Sequence, residues 1–165
     1  MSNKQLYQVL FVCTGNACRS PMAQGILEHL LPEDYRSKVK VTSAGTAAIE
    51  NSPASSQAIA VAKEHGIDIS KHRAQELSEP LLRDSNIVFV MAKEHYQYIV
   101  QHYPQYRDNV FLLKSFDRKP NRRRHTDVPD PIGRPQGFYR RVFQELENEI
   151  RRILPRLLQL VDTNS

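Results

Sequence analysis

The sequence predicts an α/β fold in which helices cover both faces of a parallel sheet. Short apolar runs rich in Val, Ile, Leu and Phe alternate along the chain with stretches of helical period. Such runs are typical of strands buried on both faces, and strand–helix alternation favours parallel pairing through right-handed crossovers. A length of 165 residues fits one domain, residues 1–165, with a single core.

Four strands and five helices are predicted from these patterns. The strands are residues 7–12, 39–43, 87–91 and 110–113, and the helices are residues 22–31, 55–65, 79–84, 94–102 and 136–160. Gly66 follows the second helix as a C-terminal stop. Pro155 falls inside the last helical pattern and is expected to kink or end that helix.

A short polar segment, residues 13–20, separates the first strand from the first helix. It reads Cys-Thr-Gly-Asn-Ala-Cys-Arg-Ser, so a thiol opens it and a guanidinium follows after five residues. The backbone N–H groups of such a loop and the helix N-terminus behind it attract an oxyanion. The same field stabilises a thiolate at Cys13, and Arg19 offers two parallel donors to phosphate oxygens. This segment, the anion loop, therefore predicts phosphoryl transfer through a cysteinyl-phosphate.

Cys13 and Arg19 are the catalytic candidates in the anion loop, and Asn16 suits a left-handed backbone conformation. Ser20 is placed to donate its hydroxyl to the Cys13 sulfur. The alternative is that Cys13 is a buried structural thiol and Arg19 a surface arginine. That alternative would not require every residue of the loop to be small or polar. The residues predicted to bind phosphate are Thr14, Gly15, Asn16, Ala17, Cys18, Arg19 and Ser20.

The run V-C-T-G-N-A-C-R-S-P-M-A at residues 12–23 closely resembles the phosphate-binding loop of the low-molecular-weight protein tyrosine phosphatases. The likeness continues through T-S-A-G-T at 42–46, G-I-D-I-S-K-H-R at 66–73 and D-V-P-D-P at 127–131. It implies the sheet order 2-1-3-4, with the phosphate-binding loop after strand 1. It also implies hydrolysis of phosphotyrosine-type esters on phosphorylated proteins, with no cofactor and no metal.

The resemblance places the general acid at Asp130, in a loop bounded by prolines. A cysteinyl-phosphate route needs an acid for the leaving oxygen and then a base for water, and one carboxyl group can serve both steps. On local sequence alone, Asp130 before Pro131 would read as a turn-forming aspartate. Asp127 is the rival carboxylate, predicted to be a structural or helper group.

Ser43 and His72 are predicted, again through the resemblance, to tie down the side-chain amide of Asn16. The alternatives are a polar residue at a strand end for Ser43 and a surface histidine for His72.

Cys13 and Cys18 are the two cysteines of the chain, so no disulfide framework is expected, and a reducing compartment fits. Cys18 is either an apolar packing residue or the partner of Cys13 in a reversible disulfide after oxidation, and both roles are compatible. No signal-peptide layout opens the sequence, and no apolar run approaches the roughly 20 residues that span a bilayer. A cytoplasmic protein with no membrane association is predicted.

Three features depart from the tyrosine phosphatases. Ile132-Gly133 follows the Asp-Pro pair where the best-known members carry aromatic residues, and the loop after Ser43 reads Ala-Ala-Ile-Glu at 47–50. Ala17 stands where tyrosine phosphatases often carry Leu or Ile, and where the protein arginine phosphatase branch usually carries Thr. A protein arginine phosphatase on the same scaffold is therefore the alternative function.

Two further functions are less well supported by the sequence. Arsenate reductase needs thiols beyond Cys13 and Cys18 to relay a disulfide. A polyanion-binding module would use the net charge of +5 and the basic residues of the irregular stretch 114–135, which are Arg118, Lys119, Arg122, Arg123 and Arg124. No nucleic-acid motif accompanies them, so nucleic acid is not an expected partner. Attraction of acidic or phosphorylated protein substrates is the favoured role of these residues. The pattern does not determine an oligomeric state.

Overall fold

The computed structural model describes residues 5–164, and its four strands form one parallel sheet in the order β2-β1-β3-β4. This confirms the predicted fold class and order. Each strand lies within two residues of its predicted bounds. The strands are β1 (Tyr7–Cys13), β2 (Val39–Gly45), β3 (Ile87–Val90) and β4 (Val110–Leu112).

The helices follow the predicted order, with two short additions. They are α1 (Arg19–Leu30), α2 (Glu33–Arg36), α3 (Ser56–Glu64), α4 (Glu79–Asp84), α5 (Lys93–His102) and α6 (Gln136–Thr163). α2 and a 3-10 helix at Pro104–Asn109 were not predicted, because elements this short show no helical period. α1 begins three residues earlier than predicted, since Pro21 in the first turn has no N–H that the helix would need.

Alternate residues of β1 face opposite sides of the sheet and join two apolar clusters. Val9 and Phe11 pack in the larger cluster, which holds the buried faces of α1, α3 and α6. Leu10 and Val12 pack in the smaller cluster with residues of α4 and α5. Burying an aliphatic or aromatic side chain contributes about 1.5–3 kcal/mol, so both clusters hold the centre of the sheet. β1 therefore has a rigid position, and so does the loop that follows it.

Of the two effects expected of Pro155, a kink or an end of the last helix, the end does not occur, because α6 continues to Thr163. Pro155 is on the exposed face of the helix. Its missing N–H frees a carbonyl one turn earlier, and on an exposed face that carbonyl can bond to water. The apolar residues of α6 recur at helical spacing on the opposite face and hold it to the sheet.

The segment between β4 and α6 contains no helix or strand, as predicted. It is fixed to the sheet at both ends, where the Leu113 N–H donates to the Val90 carbonyl at 3.0 Å and the Val128 N–H donates to the Met91 carbonyl at 2.8 Å. Within residues 5–164, none of the helices has both the length and the apolarity to cross a bilayer.

Candidate active site

The anion loop lies where β1 ends and α1 begins, at the carboxyl edge of the sheet. In the part of the chain that the structure describes, the backbone amides of residues 15–18 donate to no protein acceptor. Asn16 has a φ of 53°, and this left-handed conformation turns the loop. Free amides ahead of a helix N-terminus form a site for an oxyanion.

Cys13 opens the loop with its sulfur against Ser20. The Sγ of Cys13 lies 2.8 Å from the Oγ of Ser20. The same Oγ accepts a hydrogen bond of 2.8 Å from the Nδ2 of Asn16, which can only donate. The hydroxyl of Ser20 is thus within donating distance of the sulfur, and a donor so placed stabilises the thiolate form.

The side-chain amide of Asn16 makes three hydrogen bonds inside the protein. Its Nδ2 donates also to the Oγ of Ser43 at 3.0 Å, and its Oδ1 accepts from the N–H of Gln75 at 3.0 Å. Ser43 in turn donates to the Oε1 of Gln24 at 2.7 Å. Asn16 is fully buried, so each of these bonds is costly to lose. Ser43 lies where the sequence placed it, whereas Gln24 and Gln75 were not predicted.

His72 contacts Asn16 through a different atom from the one predicted. Its Nε2 donates to the backbone carbonyl of Asn16 at 2.8 Å, whereas the side-chain amide of Asn16 bonds to Ser20, Ser43 and Gln75. Burial lowers the pKa of His72, so the ring is neutral near pH 7.

Arg19 joins the anion loop to the segment that carries the candidate acid. It is buried as the first residue of α1. Its Nη1 donates to the carbonyl of Val128 at 3.1 Å. Its Nη2 lies 3.4 Å from the Oγ1 of Thr14 and 3.6 Å from the Oδ2 of Asp130. One guanidinium therefore contacts both halves of the site.

The acid segment, residues 127–133, holds two carboxylates with different surroundings. The Oδ1 of Asp127 accepts the N–H of Lys93 at 2.9 Å, at the first residue of α5. The carboxyl group of Asp130 lies beside the guanidinium, and its side chain is 45% exposed. Asp127 thus fastens the segment to a helix, while Asp130 is open to the cleft.

Gly45 allows β2 to end directly against the anion loop. A Cβ at this position would collide with the carbonyl oxygen of Thr14 and lie 2.9 Å from the backbone nitrogen of Asn16. Thr46 and Ala47 then donate their N–H groups to the carbonyls of Cys13 and Thr14 at 3.0 and 2.9 Å. The loop after β2 is thereby fixed as one wall of the cleft.

Cys18 lies beneath the loop in a small polar cluster. Its thiol donates to the Oγ of Ser55 at 3.3 Å and lies 3.7 Å from the hydroxyl of Tyr139. Burial raises the pKa of the Cys18 thiol, and burial raises the pKa of Tyr139 to about 12. Both groups are therefore protonated near neutral pH, which matches the packing role predicted for Cys18.

The segments next to the site carry two exposed aliphatic side chains. Ile49, in the loop after β2, is 76% exposed, and Ile132, two residues after the candidate acid, is 59% exposed. Ala17 is half-buried and packs against the larger apolar cluster.

Part of the basic stretch is bound within the protein. Arg118 pairs with Glu149 at 3.4 Å, and Arg124 donates to the carbonyl of Lys119 at 3.3 Å. Arg122 and Arg123 are exposed. Fewer of these basic side chains are therefore free to attract an anionic partner than the sequence suggests.

Comparisons with known proteins show the family of the chain. The sequence profile of the family described as low molecular weight phosphotyrosine protein phosphatase matches residues 8–163. The chain belongs to this family.

Members of the phosphatase family with different names resemble the chain to a similar degree. The protein-arginine-phosphatase of Geobacillus stearothermophilus is 40% identical over 152 residues, which cover 92% of this chain and 96% of the relative. The structure of the YwlE arginine phosphatase from the same organism has a TM-score of 0.82 at 39% identity, with 93% and 94% of the two chains covered. The low molecular weight protein tyrosine phosphatase of T. tengcongensis has a TM-score of 0.80 at 40% identity, with 91% and 99% covered.

The structure brings the predicted site residues of this phosphatase together from four distant parts of the chain. Ser43 and His72 contact the anion loop through Asn16, and Asp130 contacts it through Arg19. Sequence reasoning missed Gln24, Gln75 and a contact between Thr14 and His95, because no local signal marks side chains that meet only across the fold.

Proposed function

We propose that this phosphatase removes phosphate from phosphorylated protein side chains through a cysteinyl-phosphate on Cys13. The observation that carries the proposal is the Cys13 sulfur, 2.8 Å from the hydroxyl of Ser20, at the head of a loop with four free amides. A nucleophile inside an anion-binding loop is equipped for phosphoryl transfer. We propose the whole chain, as one domain, as the catalytic unit.

In the first step, the thiolate of Cys13 attacks phosphorus in line with the leaving group. The S–P bond forms as the bond from phosphorus to the substrate breaks. Arg19 and the loop amides stabilise the charge on the three other phosphoryl oxygens. Asp130 gives its proton to the leaving atom, which departs neutral.

In the second step, water attacks the cysteinyl-phosphate. The carboxylate of Asp130 takes a proton from that water, the S–P bond breaks, and phosphate leaves. The electron pair returns to sulfur, where the hydroxyl of Ser20 stabilises the thiolate. Asp130 is then protonated again, and the cycle closes.

Phosphotyrosine is the first candidate substrate, as the family description indicates. Phosphoarginine is the second candidate substrate. The aliphatic residues next to the site and the name of a relative both favour it. Ile49 and Ile132 offer no aromatic face for stacking a phenyl ring, and Ala17 is smaller than the Leu or Ile that tyrosine phosphatases often carry there. A relative of 40% identity carries the name protein-arginine-phosphatase. In phosphoarginine a P–N bond would break, and Asp130 would protonate the departing nitrogen.

The test compares two peptides that differ only in carrying phosphotyrosine or phosphoarginine. The larger kcat/KM identifies the preferred side chain. Ile132→Tyr is the matched variant, since a ring next to the site should raise kcat/KM for phosphotyrosine and leave phosphoarginine unchanged. In Cys13→Ser, turnover of both peptides should vanish while phosphate still binds. Substantial turnover by Cys13→Ser would overturn the proposal.

A cysteine nucleophile works only when reduced, so we also propose a cytoplasmic location and reversible control by oxidation. A peroxide would convert the Cys13 thiolate to a sulfenic acid. The Cys18 thiol would then displace water to form a disulfide, which a dithiol reduces. Cys18 needs to lose its proton for this attack. Because burial raises the pKa of this thiol, its thiolate form becomes abundant only at alkaline pH, where disulfide closure should be faster.

A further inference from the structure

We propose that His95 is a positioning residue that makes the hydroxyl of Thr14 an obligatory donor to a phosphoryl oxygen bound in the anion loop. This inference rests on the function proposed above and adds one hydrogen-bond donor to its binding site. His95 belongs to α5, and Thr14 is the second residue of the loop, 81 residues earlier.

The proton of the imidazole is placed by a backbone contact. The N–H of Ala92 donates to the Nδ1 of His95 at 3.1 Å, so Nδ1 is an acceptor and the proton of a neutral ring is on Nε2. That Nε2 lies 2.9 Å from the Oγ1 of Thr14 and 3.5 Å from the Oε1 of Glu94. Both neighbours accept, which agrees with a protonated Nε2.

The ring stays neutral at the pH where the enzyme works. His95 is 1% exposed. Burial and the charge of Arg19 lower its pKa to about 4, against the opposing carboxylates of Asp127 and Asp130. The tautomer fixed by Ala92 is therefore the form present at neutral pH.

The hydroxyl oxygen of Thr14 is fully used as an acceptor. It receives one bond from His95 at 2.9 Å and a weaker one from the Nη2 of Arg19 at 3.4 Å. An sp³ oxygen has two lone pairs, so only its own O–H remains. Among the side chains of residues 5–164, none accepts that proton. Thr14 is half-buried, so the O–H is available to a bound group.

The position of Thr14 indicates which group it meets. The hydroxyl of Thr14 and the carboxyl group of Asp130 contact the same nitrogen, Nη2, of the guanidinium that is proposed to bind the phosphoryl group. A donor there adds to the amides and the guanidinium, and an aliphatic residue at this position could not replace it.

The experiment separates this contact from the role of His95 at the start of α5. In His95→Asn, the Oδ1 takes the place of Nδ1 and still accepts from Ala92, but the imidazole donor to Thr14 is lost and only the weaker contact with Arg19 remains. Thr14→Val removes the hydroxyl at nearly constant shape, and Thr14→Ser retains it. Calorimetry measures the affinity for inorganic phosphate. Steady-state assays with a phosphopeptide give kcat and KM, and Tm serves as a folding control.

We expect His95→Asn and Thr14→Val each to weaken phosphate binding and lower kcat about tenfold, with little change in Tm. Thr14→Ser, which keeps the hydroxyl, should recover most of the phosphate affinity and kcat that Thr14→Val loses. The double variant should be no worse than the poorer single one, because His95 acts only through the hydroxyl that Thr14→Val removes. Wild-type phosphate affinity in His95→Asn, or losses that multiply in the double variant, would overturn the proposal. Since phosphate binding needs no turnover, a failure of the proposed function alone would leave this measurement intact.

Discussion

The anion loop and the acid segment are joined through Arg19, but they are held in opposite ways. The loop is buried, and its side chains bond to one another and to β2 over short distances. The acid segment is fixed at its base by Asp127 and Val128, while Asp130 is exposed beyond them. The binding half of the site is preorganised, and the half that moves protons is accessible to water. A group that must exchange protons with substrate and then with water benefits from that exposure.

The largest effect should come from Arg19→Lys, which disturbs both regions at once. A lysine cannot form the bidentate fork, and it loses the contact with the Val128 carbonyl that ties the two regions together. Losing one positioned donor costs about 10²–10³ in kcat. Because Arg19→Lys loses both donors of the fork, we expect kcat to fall by about 10⁴ or more. Steady-state kinetics on an aryl phosphate measures this, with the exposed Arg151→Lys as control. A loss under tenfold would show that charge alone suffices.

Next in size, Asp130→Asn should lower kcat on phosphotyrosine by about 10²–10³, as expected when a general acid is removed. The loss should be smaller on a nitrophenyl ester, whose leaving group departs with little protonation. Asp127→Asn is the matched control, because an amide Oδ1 can still accept from Lys93. If Asp127→Asn instead shows the dependence on leaving group, the acid has been assigned to the wrong carboxylate.

The third prediction is that the free energy of unfolding depends on pH through the histidines that contact the anion loop. His95 has a pKa of about 4 in the folded protein, against an ordinary value of 6.5. Between these values the unfolded chain binds more protons at this site, so stability falls as pH decreases from about 6.5 to about 4. At about 1.4 kcal/mol for each unit, the full effect is about 3 kcal/mol. The lowered pKa of His72 acts in the same direction.

Urea unfolding at several pH values measures this slope. His95→Asn should flatten it, since asparagine does not titrate. Identical slopes in the two proteins would mean that His95 does not control acid stability.

The smallest change in basal activity is expected for Cys18→Ser, which tests the loop beneath the nucleophile. A serine retains a hydrogen bond to Ser55, so turnover should remain within a few-fold. After exposure to peroxide, the original protein should lose two hydrogens in mass and regain activity with dithiothreitol. Cys18→Ser should fail to recover, because Cys13 is oxidised further. Equal recovery of both proteins would leave Cys18 with a packing role alone.

The sequence by itself determined the alternation of strands and helices and the identity of the anion loop. These are local properties: hydrophobic period decides each element, and residues 13–20 are contiguous, so their chemistry is visible in one stretch. The sheet order and Asp130 came through resemblance to a family and not from any pattern within the chain. Pro155 shows the limit of local rules, because tertiary packing on the buried face carried α6 past a residue that disfavours helix.

Only the tertiary structure decided which side chains support the loop. Gln75 and His95 reach it from 59 and 81 residues away. Gly45 matters because β2 ends against the carbonyl of Thr14. No propensity or period marks such residues. Their roles arise from which atoms remain unpaired once β1 and β2 lie side by side, and hydrogen-bond satisfaction in a buried site is a property of the whole fold.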